Sequence, residues 1–262
     1  MRSDFMNRIA IVAKNDELSQ HIKEILLNRL KEAYILDVIN PDLVICVGGD
    51  GTFLVAVHQY IEKNPAFLGI HTGTLGFYTD YTADEIEECI QNLLNQEVVI
   101  EKSPLLQIDL MMDKGKKTYY ALNEMRIENV IRTLAMDVFI DGEYFESYRG
   151  TGLCVCTQQG STAYNRSLKG AVIDEHLHLM QLHEITGIHH SKYRSLGVPL
   201  LLNQGREITF RSHSFKDSIL CYDHLHESLE ESVEVKVRLS QKKISFARYR
   251  KISYLARLRQ LF

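Results

Sequence analysis

The pattern of hydrophobic and polar residues divides the chain into two parts with different periods. Up to about residue 100, apolar runs of strand length alternate with stretches of helix length. The clearest helix is 16–29, where apolar residues recur every three to four positions. Beyond residue 100, short runs with a period of two are separated by turn sequences such as Asp113-Lys114-Gly115 and Asp141-Gly142. The pattern predicts an α/β part followed by a mostly β part.

The elements predicted in the first part alternate between strand and helix. They are strands at 8–13, 43–47 and 66–70, a weaker extended segment at 34–39, and helices at 16–29, 53–62 and 82–94. The last helix opens with the capping box Thr82-Ala83-Asp84-Glu85. Two buried strands joined by a helix indicate a right-handed βαβ unit and a parallel sheet.

The second part is predicted to be mainly antiparallel β structure. Strands are expected at 98–112, 117–123, 135–140, 144–148, 152–157, 206–211, 217–222, 232–239 and 243–249, with helical patches at about 162–169 and 176–185. We therefore place a domain boundary near residue 100, with a first domain at 1–100 and a second at 101–242.

Composition and charge exclude several classes of protein. The chain of 262 residues is 45% hydrophobic and 24% charged, which is too apolar for a disordered protein. A net charge of −4 gives no electrostatic case for a nucleic-acid or membrane partner. The N-terminus does not resemble a signal peptide. Five cysteines, an odd number without a Cys-x-x-Cys motif, favour reduced thiols and a cytoplasmic location.

The most informative stretch is the loop Gly48-Gly49-Asp50-Gly51-Thr52, which lies between a predicted strand and a predicted helix. Glycines let the backbone approach a ligand closely, and a helix N-terminus attracts phosphate. Asp50 would repel phosphate, so it needs another task, such as holding a metal or accepting a proton from a sugar hydroxyl. The loop is neither a Walker A motif nor a dinucleotide fingerprint. An ordinary glycine turn is the alternative.

A second glycine-spaced loop, 71–78, follows the strand predicted at 66–70. Both loops therefore lie at the carboxyl ends of parallel strands, where open α/β sheets bind their ligands.

Two stretches of the second part carry uncharged hydrogen-bonding groups at strand ends. In 159–167, the side chains of Thr162, Asn165 and Ser167 could read ribose and adenine, while Ala163 and Tyr164 could line a slot for a base. Helix caps are the alternative for this stretch. Asn123-Glu124 could hold a ribose diol, although a strand-end turn is the better explanation for the pair taken alone. The histidine spacings match no strong zinc pattern, and we retain only Asp223-His224 as a further candidate.

Taken together and in this order, these motifs resemble the NAD kinases, in particular the compact Gram-positive bacterial type. The residues that carry the resemblance are Gly48-Gly49-Asp50-Gly51-Thr52, the 71–78 loop, Asn123-Glu124 and the stretch 160–165. The first motif is shared with lipid kinases and phosphofructokinases, whereas the combination is much more specific. The resemblance covers nearly the whole chain.

The resemblance implies a Rossmann-like α/β N-terminal domain and a β-rich C-terminal domain for NAD binding and oligomerisation, with a chain end, 243–262, that returns to the first domain. It implies ATP-dependent phosphorylation of the 2′-hydroxyl of the NAD adenosine ribose, with a divalent metal, Mg²⁺ or Mn²⁺, accompanying ATP. The implied assembly is a homotetramer or homodimer without nucleic-acid or membrane partners, and no residue is assigned as a metal ligand. Polyphosphate is an alternative donor.

By matching positions, Asp50 is the implied general base, and Gly48, Gly49, Gly51 and Thr52 form the phosphate loop. The implied NAD-binding residues are Tyr78, Asn123, Glu124, Arg149, Thr151, Gln159, Thr162, Ala163, Tyr164, Asn165, Ser167 and His224.

Four residues, at three places in the chain, depart from the family pattern. Thr151 replaces an aspartate, Gln158-Gln159 replaces a proline and a serine, and Lys169 replaces a glycine. None of these changes affects Asp50. All of them fall around the NAD pocket that the resemblance implies, so they bear on dinucleotide binding. Two alternatives therefore stay open: a related kinase for another hydroxyl substrate, and a non-catalytic homologue that binds a dinucleotide.

Overall fold

The structure is a computed structural model that describes residues 6–73, 76–189 and 195–259. It divides into two compact units. The first contains the described residues up to Lys102 and from Ile244 onward, and the second runs from Ser103 to Lys243. The predicted boundary was residue 100.

The first unit alternates strands and helices. Its elements are β1 (Arg8–Ala13), α1 (Glu17–Leu30), β2 (Ile35–Leu36), β3 (Leu43–Val47), α2 (Asp50–Tyr60), β4 (Ala66–His71), β5 (Tyr81–Thr82), a 3₁₀ turn (Ala83–Glu85) and α3 (Ile86–Asn95). The Asp16 carboxylate caps α1 by accepting from the N–H of Ser19. The capping box expected at Thr82 and Glu85 is present.

The sheet of the first unit is parallel. Strand β3 lies between β1 and β4, with Ile45 opposite Ile11 and Leu68, and every residue of β3 is buried. A strand covered on both faces reads as a continuous apolar run, which is why the sequence located it so sharply. The parallel order brings the ends of β3 and β4 side by side, and the phosphate loop and the 71–78 loop begin there.

The second unit consists mostly of strands. Its elements are β6 (Val99–Met112), which begins in the first unit, β7 (Lys116–Ala121), β8 (Glu124–Glu128), β9 (Leu134–Ile140), β10 (Glu143–Gly150), β11 (Gly152–Thr157), a 3₁₀ turn (Gln159–Thr162), α4 (Tyr164–Ser167), β12 (Leu179–Ile185), β13 (Leu200–Asn203), β14 (Glu207–Arg211), β15 (Ile219–Tyr222), β16 (Leu225–Ser228) and β17 (Ser232–Arg248).

These strands form two antiparallel layers around one core. One sheet has the order β13-β12-β11-β8-β15-β16, and strands β10, β9, β14 and β17 are neighbours in the other. Both contribute to a single apolar cluster, for example through Met125 and Leu153 of the first and Val138 and Phe210 of the second. Asp141 and Gly142 both have positive φ, as the predicted hairpin turn requires.

Three expectations for the second part were wrong. The segment 176–185 was predicted to be helical, but Leu179–Ile185 is a strand between β11 and β13. Met180, Gln181 and Leu182 are all buried, so the strand lacks the alternation that would have revealed it. The strands Glu124–Glu128, Leu200–Asn203 and Leu225–Ser228 were missed. The runs 232–239 and 243–249 belong to one strand.

The chain end belongs to the first unit. The last residues of β17 pair in parallel with β4, placing Phe246 opposite Phe67. The chain then forms α5 (Tyr254–Arg259).

All five cysteines are free, and four of them are buried. Within the residues that the structure describes, no helix is long and apolar enough to cross a membrane.

Candidate functional site

The Gly48–Thr52 loop forms the beginning of α2. Gly49 is the N-cap and Asp50 is the first helical residue. Gly48 has a φ of +154°, and a Cβ atom there would collide with the Thr52 side chain, so this corner requires glycine. A Cβ at Gly51 would meet nothing within 4 Å. The loop therefore presents the N-terminal N–H groups of α2 beside an uncovered glycine, which suits a phosphate group.

Asp50 is fixed by backbone groups of segment 76–80. Its Oδ2 accepts a hydrogen bond of 2.9 Å from the Phe77 N–H, and its Oδ1 accepts one of 3.0 Å from the Tyr78 N–H. A Cβ at Gly76 would overlap the Asp50 carboxylate, so glycine is needed for this approach. An ionised carboxylate has about four lone-pair sites, and these two bonds leave further acceptor capacity on both oxygens.

His71 lies against the same glycines, although the sequence analysis assigned it no role. Its Nδ1 accepts a hydrogen bond of 2.7 Å from the Gly73 N–H, which leaves the proton of the neutral ring on Nε2. A Cβ at Gly49 would lie 3.3 Å from that Nε2, and one at Gly76 would lie 3.0 Å from the ring Cδ2. His71 therefore borders both the phosphate loop and the glycine that faces Asp50. Thr74 and Leu75, which belong to the same motif, lie outside the described residues.

The ring of Tyr78 points into the first unit. It is only 3% exposed and stacks on Phe53 at 5.0 Å and on Phe246 at 6.0 Å between ring centroids. What Tyr78 contributes to the Asp50 site is its backbone N–H. The expected contact of its side chain with a nucleotide stays a prediction.

In the second unit, Asn123 and Glu124 are held at a break between strands. Strand β7 ends at Ala121 and β8 begins at Glu124. The Asp223 carboxylate accepts hydrogen bonds from the N–H groups of Leu122, at 2.8 Å, and Asn123, at 2.7 Å. The Thr157 hydroxyl donates to the Leu122 carbonyl at 2.6 Å. The sequence indicated Asp223 as a candidate, and the structure shows it supporting this break.

Glu124 is buried and incompletely hydrogen-bonded. It is 6% exposed, and its Oε2 has no hydrogen-bond partner among the described residues. Burial, followed by the neighbouring negative charge of Asp223, raises its pKa to about 7. A buried acceptor of this kind is the group that a sugar hydroxyl would satisfy.

The stretch 159–167 forms a 3₁₀ turn followed by one helical turn beside Asn123. A Cβ at Gly160 would lie 2.7 Å from the Asn123 Cα, so this glycine sets the close approach. The Ser161 hydroxyl donates to the Gln158 carbonyl at 2.7 Å and accepts from the Ile173 N–H, which makes it structural. Thr162 and Ala163 are partly exposed, and Ser167 is exposed.

Asn165 is fully buried within this stretch. Its amide nitrogen donates to the carbonyls of Ser161 and Ala171, both at 3.2 Å. The side chain therefore closes the loop 161–171, and a contact with NAD stays a prediction.

Tyr164 has a cation on one face of its ring. The Arg126 guanidinium carbon lies 4.1 Å from the ring centroid, and Arg126 also pairs with Glu128 at 2.7 Å. An arginine on one face fixes the plane of the ring and leaves stacking of a base to the other face. Nothing in the sequence pattern pointed to Arg126, whose position follows from the register of β8.

The positions that depart from the family pattern are well anchored. The Gln158 side chain is buried and donates to the Ser103 hydroxyl at 2.9 Å, which anchors this turn. Gln159 is partly exposed. The Thr151 N–H donates to the Ile185 carbonyl at 3.1 Å. Arg149 and His224 are exposed.

The described residues contain no group of three or more His, Cys, Asp or Glu side chains that could hold a metal ion. Mg²⁺ usually binds through one or two carboxylates together with substrate phosphates. Asp50 at the phosphate loop is compatible with a metal that arrives on ATP phosphates rather than in a protein cage.

Comparison with known proteins finds relatives that belong to one family. A family model described as the ATP-NAD kinase N-terminal domain matches residues 39–98. Proteins named NAD kinase from Staphylococcus haemolyticus and Staphylococcus aureus are each 38% identical to this chain over 262 residues, covering 97% of both sequences.

Two solved structures share the fold. Yeast NADH kinase complexed with NADH gives a TM-score of 0.86 at 18% identity, covering 98% of this chain and 88% of that one. An NAD kinase from Archaeoglobus fulgidus in complex with ATP gives 0.77 at 23% identity, covering 97% and 99%. The predicted two-domain fold, α/β followed by β-rich, is thereby confirmed. Since the Staphylococcus relatives are 38% identical to the chain over 97% of both sequences, the chain belongs to the NAD kinase family.

Proposed function

We propose that this chain phosphorylates the 2′-hydroxyl of the NAD adenosine ribose with ATP, giving NADP and ADP. The observation that carries the proposal is Asp50, a carboxylate held by two backbone N–H groups at the head of a phosphate-binding helix. Such a carboxylate has a place beside phosphate when a hydroxyl must be deprotonated there.

In the proposed reaction, Asp50 accepts the proton of the 2′-hydroxyl as that oxygen forms a bond to the γ-phosphorus of ATP. The bond between this phosphorus and the ADP oxygen breaks, and ADP leaves. Positioning and electrostatic stabilisation supply most of the catalysis in phosphoryl transfer. The N–H groups of Gly51 and Thr52 support the phosphates, and the Nε2–H of His71 donates to a phosphoryl oxygen.

The second unit supplies recognition of the dinucleotide in this proposal. Asn123 and Glu124 hold the ribose, and a hydroxyl donates to the unpartnered Oε2 of Glu124. The base stacks on Tyr164, with Thr162 and Ala163 at its edge. The remaining members of the proposed binding set are Tyr78, Arg149, Thr151, Gln159, Asn165, Ser167 and His224.

A divalent metal, Mg²⁺ or Mn²⁺, would neutralise charge on the ATP phosphates. Asp50 is the side chain of the phosphate loop that could approach it. We also retain a homotetrameric or homodimeric assembly and a cytoplasmic location as predictions.

The test is a coupled dehydrogenase assay with purified protein, ATP, Mg²⁺ or Mn²⁺, and NAD. We expect NADP to form, and a parallel reaction with polyphosphate identifies the donor. Absence of NADP under both metals and both donors would overturn the proposal. Tight NAD binding without turnover would instead support the non-catalytic homologue.

A further inference from the structure

We propose that Arg257, in the C-terminal helix, is a positioning residue for the catalytic carboxylate of Asp50. The inference rests on the proposed function, because it assigns a task to Asp50. It concerns only contacts within the first unit. None of the sequence motifs includes Arg257.

The orientation of Asp50 depends on segment 76–80. Both carboxylate oxygens are held by N–H groups of this segment, those of Phe77 and Tyr78. A rotation of either peptide unit would remove one donor and turn the carboxylate away from its acceptor geometry. What fixes the segment therefore also fixes the base.

Arg257 holds the other side of one of these peptide units, because the Phe77 carbonyl belongs to the same peptide group as the Tyr78 N–H. Its Nη1 donates to the carbonyl oxygens of Phe77, at 2.9 Å, and Thr79, at 2.7 Å. Its Nη2 donates to Asp80 Oδ1 at 2.5 Å. Phe77 thus donates its N–H to Asp50 and accepts from Arg257 through its carbonyl. One side chain thus binds three acceptors along the segment. A planar guanidinium with five N–H groups suits this arrangement better than the ammonium group of a lysine.

The ion pair beneath the segment is buried. Asp80 is fully buried and Arg257 is 5% exposed, and Arg248 donates to the same Oδ1 at 2.6 Å. Arg250 also donates to the Asp80 carbonyl. Removing one member of a buried charged group is strongly destabilising, because it leaves a buried charge without its partner. Segment 76–80 is therefore tied to the chain end by three arginines, of which Arg257 alone donates to the Phe77 carbonyl in the described contacts.

The described part of the C-terminal helix contacts segment 76–80 through two of its side chains. The structure describes six of its residues, Tyr254–Arg259, and Arg257 is the buried one among them. The ring of Tyr254 meets Phe77 edge-on at 6.0 Å between centroids. In the described residues, Arg257 and Tyr254 therefore dock this helix against segment 76–80.

The test compares Arg257→Lys and Arg257→Ala with Arg259→Ala. Arg259 lies in the same helix and is exposed, with one long contact of 3.4 Å to the Leu255 carbonyl, so it is the matched control. The first readout is amide hydrogen exchange at Phe77 and Tyr78. We expect at least a tenfold faster exchange in both Arg257 variants and no change in the control.

The second readout is steady-state kinetics of NADP formation. We expect kcat to fall by about 10- to 100-fold, since a misplaced catalytic group costs about that much, while KM for ATP and NAD stays within about threefold. Guanidinium ion added to Arg257→Ala is expected to restore part of kcat, which a general loss of folding would not allow. Arg257→Lys keeps a buried cation, so this variant provides the kinetic measurement if the alanine variant does not fold.

Unchanged exchange at Phe77 and Tyr78 in Arg257→Lys would overturn the inference, as would a kcat equal to that of the parent. If the parent chain forms no NADP, the proposed function fails, yet the exchange readout still decides whether Arg257 fixes the segment that holds Asp50.

Discussion

Asp50 shows how a single residue acquires its chemistry from the backbone around it. Gly49 before it ends the loop, Gly76 opposite it leaves room, and two peptide N–H groups bind its oxygens. The sequence placed an acid in a phosphate loop and left its task open between metal binding and proton transfer. The structure adds two backbone hydrogen bonds that orient the carboxylate and leave acceptor capacity on both oxygens, which is the geometry that taking up a hydroxyl proton requires.

Replacing Asp50 with asparagine is expected to lower kcat by about 10²- to 10⁴-fold, the usual contribution of a general base. Binding of NAD, measured by isothermal titration calorimetry, should largely survive. The matched control is Asp113→Asn in an exposed hairpin turn, which should leave kcat unchanged. Equal loss of binding and turnover would show that Asp50 is structural.

The raised pKa of Glu124 makes the stability of the folded chain depend on pH. Its pKa rises from 4.5 to about 7 in the folded chain, so the native state retains a proton that the unfolded state releases. The free energy of unfolding therefore falls as the pH rises through this window. Glu124→Gln removes the effect, and we expect the variant to gain up to about 3 kcal/mol over the parent at pH 8 and little at pH 4. Urea unfolding of both proteins at both pH values measures this difference in stability. If the stability of the parent and of the variant changes equally with pH, the prediction is contradicted.

Lys169 occupies a left-handed backbone conformation, with a φ of 62°. Glycine adopts this conformation without steric cost, whereas other residues pay about 1 kcal/mol or more. We expect Lys169→Gly to raise the free energy of unfolding by about 0.5–1 kcal/mol in urea denaturation. Lys114→Gly, in a turn where φ is not positive, is the control and should not stabilise. A stability gain in both variants, or in neither, would refute the backbone explanation.

At the scale of elements, the break between β7 and β8 shows how tertiary neighbours build a binding feature. Asn123-Glu124 taken alone fits an ordinary strand-end turn. In the structure, Asp223, Thr157 and Gly160 converge on it from distant parts of the chain. Separation along the sequence also explains why the strand Leu179–Ile185 was missed. It is buried between β11 and β13, and the sequence did not reveal its pairing with them.

Removing the support of this break should weaken dinucleotide binding. Asp223→Ala leaves the N–H groups of Leu122 and Asn123 without their carboxylate, at an expected cost of about 1–3 kcal/mol in stability. Because Asn123 and Glu124 are displaced, we expect KM for NAD to rise by about tenfold and KM for ATP to change little. Asp113→Ala is the matched control. An unchanged KM for NAD would show that the break is held without Asp223.

At the scale of the whole molecule, the chain contributes two units of different architecture and returns to the first at its end. The apolar surface of the second unit is conspicuous at Leu196, Val198 and Leu201, whose exposed fractions lie between 43% and 56%. Exposed apolar residues close in sequence are common at interfaces between subunits.

We expect the protein to be a homotetramer with a mass of about 121 kDa, four times the chain mass of 30.2 kDa. Size-exclusion chromatography with light scattering measures this mass directly. Val198→Lys should shift the mass towards smaller species, because a charge in an apolar interface lacks a partner. Glu230→Lys, at an exposed position, is the control. A mass of 30.2 kDa for the parent would contradict the prediction.

The sequence by itself determined the strands that are buried on both faces, such as Leu43–Val47, and the glycine corner before Asp50, because these depend on local periodicity and local backbone geometry. It also determined the family, since several motifs occur in a fixed order. Only the tertiary structure decided which groups hold Asp50, what supports Asn123-Glu124 and what task Arg257 has. Those contacts join residues up to 180 positions apart, as between Phe77 and Arg257, and no local pattern records them.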